Sequence, residues 1–408
     1  MLRFLTAGES HGRALVVIVD GVPAGLSLDP AVIARDLRRR QAGYGRGRRM
    51  AIESDTAVLL AGVRRGKTTG APVAMTIDNR DWVNWQFTMH PDDSPPDDAG
   101  GARRPPVTRP RPGHADLAGA LKYGHADLRD VLERASARET AARVAAGALA
   151  RQILASVGVG IASHVFEIGP VAAPAGPPPF DRLTGLPDDS PTRCLDADAA
   201  ARMIDAIDAA RAAGDTLGGV FEVVAHGVPP GLGSFSQWDR RLDGRLAQAL
   251  MSIPAIKAVG IGLGPDAARR TGSRVHDEIV RREATDAPHD GGLIRRPTNH
   301  AGGIEGGITN GEDVRVTAFM KPIATLMTPL RSVDLATLTE EPAAIERSDV
   351  CAVPAASMVG EAMVALVVAD AVLERFGGDT MADLLQRFAE SARAVRQRLT
   401  MAAGAPRP

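Results

Sequence analysis

Ala355-Ala356-Ser357-Met358-Val359-Gly360-Glu361-Ala362-Met363-Val364-Ala365-Leu366-Val367-Val368-Ala369-Asp370-Ala371-Val372-Leu373-Glu374-Arg375-Phe376 is the stretch on which the fold turns. As a helix it is apolar nearly all round, and such a helix must be covered on most sides. Glu361, Asp370 and Glu374 interrupt the apolar run, which argues for a buried helix and against a membrane span. A sandwich with helices between sheets would cover it on both sides.

Working outward, residues 13–20 form a short β-branched run ahead of the turn Gly21-Val22-Pro23-Ala24-Gly25 and predict a buried strand. Asp29-Pro30 supplies an N-cap with proline at the first helical position, so a helix should run through Leu37 toward Arg40 and end near Gly43. Residues 56–63 and 71–78 predict two strands joined by a glycine-rich turn. A strong helix is predicted from Ser136 to Val157, because Ala141, Val144, Ala145, Ala148, Leu149 and Ile153 recur at helical spacing before Gly158. Further strands are predicted at 161–168, 218–227, 257–263 and 313–319, and further helices at 197–213, 239–251 and 380–400. Residues 91–112 and 172–192 are Pro-rich and polar and read as loops, and long loops in compact domains often serve as functional lids. No internal repeat and no linker between distinct halves is visible. One large α/β unit, of α+β character, is therefore expected.

The 408 residues are 44% hydrophobic and 24% charged, close to ordinary globular usage. A net charge of −1 argues against a surface given over to nucleic acid or membrane. Aromatics make up only 3%, so small residues must fill the core and allow close helix approach. Cys194 and Cys351 lie far apart with no Cys-x-x-Cys spacing, which indicates neither zinc nor a disulfide framework. The start Met1-Leu2-Arg3-Phe4-Leu5-Thr6 reaches Glu9 and His11 too soon for a signal peptide, so a reduced cytoplasmic protein is expected.

Two constellations look chemical. Arg38, Arg39 and Arg40 end a helix, and Arg46, Arg48 and Arg49 follow in Gly43-Tyr44-Gly45-Arg46-Gly47-Arg48-Arg49. Guanidinium groups offer paired donors that suit phosphate and carboxylate. The bland reading is a solvated basic helix end favoured by the helix dipole. An RGG-like nucleic-acid contact is a rival, weakened by the net charge and the lack of stacking aromatics. His11 in Gly8-Glu9-Ser10-His11-Gly12 and His114 in Arg111-Pro112-Gly113-His114-Ala115-Asp116 sit in glycine-bounded loops beside acid or hydroxyl groups, where general acids are built. A lone histidine is more often structural. His125 is a weaker candidate.

Three more segments carry weaker signals. Ser136 and Glu139 in Arg134-Ala135-Ser136-Ala137-Arg138-Glu139 have capping-box spacing, and a helix N-terminus flanked by arginines is also an anion site. Asn299 to Gly311 is glycine-rich and reads either as a close ligand approach or as a hairpin loop. It matches neither a Rossmann fingerprint nor a P-loop, and Gly62-Val63-Arg64-Arg65-Gly66-Lys67-Thr68 is one residue short of a P-loop. In Arg347-Ser348-Asp349 a neighbouring cation favours an ionised carboxylate, hence a base, although for the pair taken alone an N-terminal salt bridge is the favoured reading.

Taken in order, and with Asp215-Thr216-Leu217-Gly218-Gly219 and Ser252-Ile253-Pro254-Ala255-Ile256-Lys257, these motifs resemble the chorismate synthases from Met1 to about Gly378. The resemblance implies a catalytic domain over 1–378, with 379–408 as a helical extension and tail. It implies helices layered between two mainly antiparallel sheets, and a homotetramer. It implies a lyase that eliminates phosphate from 5-enolpyruvylshikimate 3-phosphate to give chorismate, with reduced FMN as cofactor. NADPH is implied only if the protein reduces its own flavin. By position, His11 matches the histidine that protonates the departing phosphate, His114 the one near the flavin, and Asp349 the proton acceptor. Ser10 and Ser136 match supporting hydroxyls. Arg40, Arg46, Arg49, Arg111, Arg138 and Arg347 match substrate-binding cations. Arg134, Ala135, Ser136, Pro254, Ala255, Gly306, Lys321, Pro322, Ile323, Ala324, Thr325 and Arg347 match FMN contacts. No nucleic-acid or membrane partner is implied.

Overall fold

In the strand Ala14–Asp20, Leu15, Val17 and Val19 are buried while Ile18 and Asp20 are exposed, the alternation of a strand covered on one face. The computed structural model describes residues 1–47, 54–92, 100–174, 176–282, 294–346 and 348–404, with side chains to residue 398. Ala14–Asp20 lies inside an antiparallel sheet ordered Arg3–Ala7, Ala14–Asp20, Val73–Asp78, Ala57–Ala61. A second antiparallel sheet is ordered Ile256–Ile261, Val314–Met320, Gly219–His226, Gly160–Ile168, Val171–Ala172.

The helix Thr140–Ser156 packs on the first sheet and against the helix Val353–Phe376, which packs in turn on Gly160–Ile168 and Gly219–His226 of the second. Pro30–Gln41 and Leu242–Met251 flank this pair. The two central helices come close because their facing residues are small. A Cβ built on Gly147 would stand 2.3 Å from the Cβ of Ala362, so even alanine would force the helices apart. Of the Val353–Phe376 helix, only Val367, Asp370, Glu374 and Arg375 escape full burial. It is long and apolar enough to span a membrane, yet 89% of its most apolar window is buried in the protein, which accounts for its composition without lipid.

Glu361 sits in the middle of that helix, fully enclosed. Its carboxylate accepts hydrogen bonds from Arg39 at 2.9 and 3.1 Å and from the Ser163 hydroxyl at 2.8 Å. Arg151 pairs with it directly, and Arg193 lies 3.5 Å away. Burial alone would raise the Glu361 pKa, but Arg39, Arg151 and Arg193 outweigh it and hold the group at about 2, from an ordinary 4.5.

Several predicted elements are altered in detail. Asp29 caps Pro30–Gln41 by accepting from the Ala31 N–H at 2.8 Å, as its sequence predicts. The predicted helix at Ser136 begins instead with a 3-10 turn, Ala137–Glu139, and the α-helix starts at Thr140. Ser136 caps that turn by accepting from the Arg138 N–H at 3.3 Å, while Glu139 turns to Arg143 and leaves the reciprocal bond of a capping box unmade. The turn between the strands at 57–61 and 73–78 holds a small ribbon, Val63–Arg64 with Lys67–Thr68, which disposes of the P-loop look-alike. The glycine-rich 299–311 segment takes the bland form, a hairpin of Ile304–Glu305 with Ile308–Thr309.

Candidate active site

Glu133, on the short helix Arg129–Ala135, organises the first loop. Its carbonyl accepts from the Ser10 N–H at 3.0 Å, and its carboxylate accepts from the His11 N–H at 2.7 Å. The same carboxylate meets His11 Nδ1 at 2.8 Å. The His11 ring stacks on Trp85 with centroids 3.9 Å apart, and the Arg104 guanidinium lies over the same indole. Trp85 is pinned through its Nε1–H to Asp81 at 3.0 Å. Ser136 donates to the Ser10 hydroxyl at 3.2 Å, so the two serines meet where two loops cross.

The cations next to this loop rest on buried acceptors. Asp55 takes Arg138 at 2.6 Å and Arg40 at 3.5 Å. Arg40 also donates to the Thr140 hydroxyl and the Ala137 carbonyl, both at 2.9 Å. Asn79 accepts from Arg138 at 3.0 Å and donates to the Glu9 and Gly12 carbonyls, tying the His11 loop to the arginine. Across the site, Asp349 pairs with Arg46 at 2.9 Å and accepts from the Gly47 N–H at 2.7 Å. Gly47 is required there, because a Cβ would fall 2.8 Å from the Ser348 carbonyl.

His114 is held by Asp116, which its Nδ1 contacts directly. Arg111 binds Asp116 through its backbone N–H, its Nε and a terminal nitrogen, and reaches the Thr325 hydroxyl at 3.0 Å. Burial would raise the Asp116 pKa, but hydrogen bonds from His114 and Arg111 carry it well below the ordinary carboxylate range. A terminal nitrogen of Arg111 also lies 3.1 Å from the same His114 Nδ1. Lys321 stands below the ordinary lysine pKa because burial and the nearby Lys257 disfavour its charge. Ala255 adopts φ +69°, a strained left-handed conformation for a side-chain-bearing residue, and its carbonyl accepts from the Lys321 N–H.

The histidines, the two serines and the cations surround one cavity of about 820 Å³, with Glu133, Asp55, Asn79 and Asp116 behind its wall. Arg40, Arg46, Arg104, Arg111, Arg138 and Lys321 line it against Asp81, Glu346 and Asp349, so among the described residues cations exceed carboxylates by six to three. Another wall is apolar, from Ile253-Pro254-Ala255 through Ile323 and Ala324 to Ala352, Ala355, Ala356 and Val359. The chorismate synthase family model matches residues 2–373. The chain belongs to the chorismate synthase family. A chorismate synthase of Desulforudis audaxviator is 57% identical over 97% of this chain and 99% of its own length, and that of Geobacter sulfurreducens is 54% identical over 95% and 98%. A crystal structure of chorismate synthase superposes with a TM-score of 0.74 at 43% identity, covering 97% of this chain and 98% of that one. The protein is an enzyme, a lyase with chorismate synthase function.

Set against the family motifs, Ser10, His11, His114, Ser136 and Asp349 all line the cavity, as do Arg40, Arg46, Arg111 and Arg138. Arg49 and Arg347 lie outside the described residues. Ala135, Pro254, Ala255, Lys321, Ile323, Ala324 and Thr325 are also in the wall. Arg134, Gly306 and Pro322 are not among the lining residues. Arg134 instead donates to the Gly8 and Thr6 carbonyls at 3.0 Å each, fastening the first strand. His125 pairs with Asp130 at 3.4 Å, away from the cavity. Asp55, Asn79, Trp85, Arg104 and Glu133 give no signal in the sequence, because each acts on a partner remote along the chain. Asp116 alone was within reach, since it follows His114 closely in the same loop.

Proposed function

We propose that the cavity carries out the 1,4-anti elimination of phosphate from 5-enolpyruvylshikimate 3-phosphate, giving chorismate, with reduced FMN as cofactor. The observation that carries this reading is the excess of cations over carboxylates beside two histidines whose Nδ1 atoms rest on acidic partners. A substrate with a phosphate and two carboxylates needs such a wall, and arginine meets both groups with paired donors. Arg40, Arg46, Arg111 and Arg138 bind the substrate. His11 gives a proton to the departing phosphate. Asp349, aligned by Arg46 and the Gly47 N–H, accepts the proton lost from carbon, and Ser10 and Ser136 relay between these groups. His114 acts beside the cofactor.

The residues present fit a flavin: an apolar wall at Ile253-Pro254-Ala255, Ile323 and Ala324, with Lys321 and Thr325 as polar partners in the same lining. When bound, reduced FMN supplies the electron density that helps expel phosphate, chemistry no side chain can offer. Pro254, Ala255, Lys321, Ile323, Ala324 and Thr325 would hold it. NADPH enters only if the enzyme reduces its own flavin.

The same reading takes residues 1–378 as one catalytic domain with 379–408 as its extension, helices layered between two sheets, working in the cytoplasm as a homotetramer. The contacts of the two central helices support the layering. Two buried free cysteines support a reducing compartment, and Leu5 and Ile18, paired and exposed on the outer face of the first sheet, support association.

The test is anaerobic. Protein, chemically reduced FMN and 5-enolpyruvylshikimate 3-phosphate are mixed, and chorismate absorbance and phosphate release are followed. Equal amounts of both, with the flavin still reduced, are expected. Folded protein that yields neither would overturn the assignment. NADPH in place of chemical reductant then tests for intrinsic flavin reduction.

A further inference from the structure

His11 is held from two directions by residues that no family motif above includes. In its plane lies Glu133, whose side chain is 1% exposed and which engages both the His11 N–H at 2.7 Å and Nδ1 at 2.8 Å. Against its face lies Trp85, at 3.9 Å and 21° from parallel, itself fixed by the Asp81 carboxylate. A ring held in plane and across its face has one orientation. A carboxylate at Nδ1 is an acceptor, so Nδ1 carries a proton and proton exchange with a ligand falls to Nε2.

We propose that Glu133 is a positioning residue that holds His11 as the Nδ1–H tautomer, leaving Nε2 to exchange the proton with substrate, and that Trp85 fixes the plane of the ring. This rests on the role given to His11 above. The imidazolium gives its Nε2 proton to the phosphate oxygen and is left as the Nδ1–H tautomer; Nε2 regains a proton from solvent or from the neighbouring hydroxyls after turnover, so Glu133 itself neither gains nor loses one. The arrangement is the logic of the carboxylate-held histidine in hydrolases, where amidation of the acid leaves geometry intact and costs turnover through the wrong tautomer.

Glu133→Gln tests it. The amide this change introduces has one oxygen for the His11 N–H and turns its NH2 toward Nδ1, favouring the Nε2–H form. Histidine-¹⁵N-labelled protein is titrated to the alkaline limit of its folded range, and the His11 signal is assigned by its loss in His11→Gln. The parent protein should show protonated Nδ1, and Glu133→Gln a shift toward protonated Nε2. In the anaerobic assay kcat should fall by about 10²–10⁴-fold while substrate Kd changes by less than about threefold. A parent ring found as Nε2–H, or a variant with unchanged tautomer and kcat, would overturn the proposal. Because the tautomer is read without substrate, it fails or holds separately from the assigned reaction. Should Glu133→Gln not fold, Trp85→Leu should lower kcat by about tenfold at unchanged Kd with Trp85→Phe restoring most of it, and parent-like kcat in Trp85→Leu would equally overturn it.

Discussion

Arg39 and Arg40 are adjacent in the chain, yet they serve opposite purposes. Arg39 closes the enclosed cluster around Glu361, where every cation is answered by a carboxylate: Asp36 at 3.1 Å, Glu361 at 2.9 Å and Asp188 at 3.3 Å. Arg40 points the other way and shares Asp55 with Arg138 on a wall where cations outnumber carboxylates. Helix geometry separates them by about 100° of rotation, enough to send one to the core and one to the cavity. A cluster neutralised within the protein stabilises only the fold. On the wall Arg40, Arg46, Arg111 and Arg138 also lean on carboxylates, but among the described residues the surface they present to the cavity holds six cations to three carboxylates, a field that favours an anion.

The cluster is itself uneven. Burial opposes the charge on Arg39, yet Glu361 and Asp36 outweigh it and hold the group more firmly protonated than usual. Burial and the neighbouring cations Arg39 and Arg151 instead lower the Arg193 pKa to about 10, because its contact with Glu361 is longer. Arg193 remains charged at neutral pH and is the least compensated member.

The contrast can be broken most severely at Glu361. Glu361→Ala should cost about 3–5 kcal/mol, since it removes the shared carboxylate from buried Arg39 and Arg193 and from partly exposed Arg151. Urea unfolding would measure it, and a loss under about 1 kcal/mol would mean that water enters the cluster. Acid sharpens the same point. The Glu361 pKa is depressed in the fold, so its contribution is complete above the unfolded value of 4.5 and disappears as pH falls toward about 2. Glu361→Gln should flatten the stability profile across that window, read by denaturant midpoints at each pH.

On the cavity side the expectation reverses: function falls and the fold persists. His114→Ala should reduce kcat by about 10²–10⁴-fold with little change in unfolding midpoint, and wild-type turnover would remove His114 from the chemistry. Arg46→Ala, which removes one partly exposed cation from the wall, should weaken substrate binding by about 10–100-fold while stability changes by less than about 1 kcal/mol, read by calorimetric titration and thermal melts. The smallest effect belongs to Arg35, whose pair with Asp188 is half exposed. Arg35→Ala should cost under about 1 kcal/mol and leave turnover unchanged.

Much of the molecule was legible in the chain. A β-branched run predicted the strand at 13–20, helical spacing predicted a helix from Ser136 to Val157, an all-round apolar composition predicted the buried helix at 355–376, and glycine-bounded loops marked His11 and His114 as chemical. These signals are local: a pattern of burial is written into successive residues wherever one face of an element meets a core. The same locality is why the basic segment stayed ambiguous. Its solvated reading holds for exposed Arg38 and a buried structural reading for Arg39, while Arg40 and Arg46 line the cavity proposed to take the anion.

What the sequence alone determined, then, is the central helices and most strands of the two sheets, the family motifs and the residue types suited to binding a polyanion, but not the strand Arg3–Ala7 or the helices Asp116–Tyr123 and Arg129–Ala135. Only the tertiary structure decided which arginines are neutralised and which face the cavity, that Asp349 answers Arg46 from the other end of the chain, and that Glu133 and Trp85 hold His11. The reason is physical. Charge balance and ring orientation depend on distances of a few ångströms between groups remote in the chain, and those distances exist only once the helices have packed against their sheets and the loops have crossed.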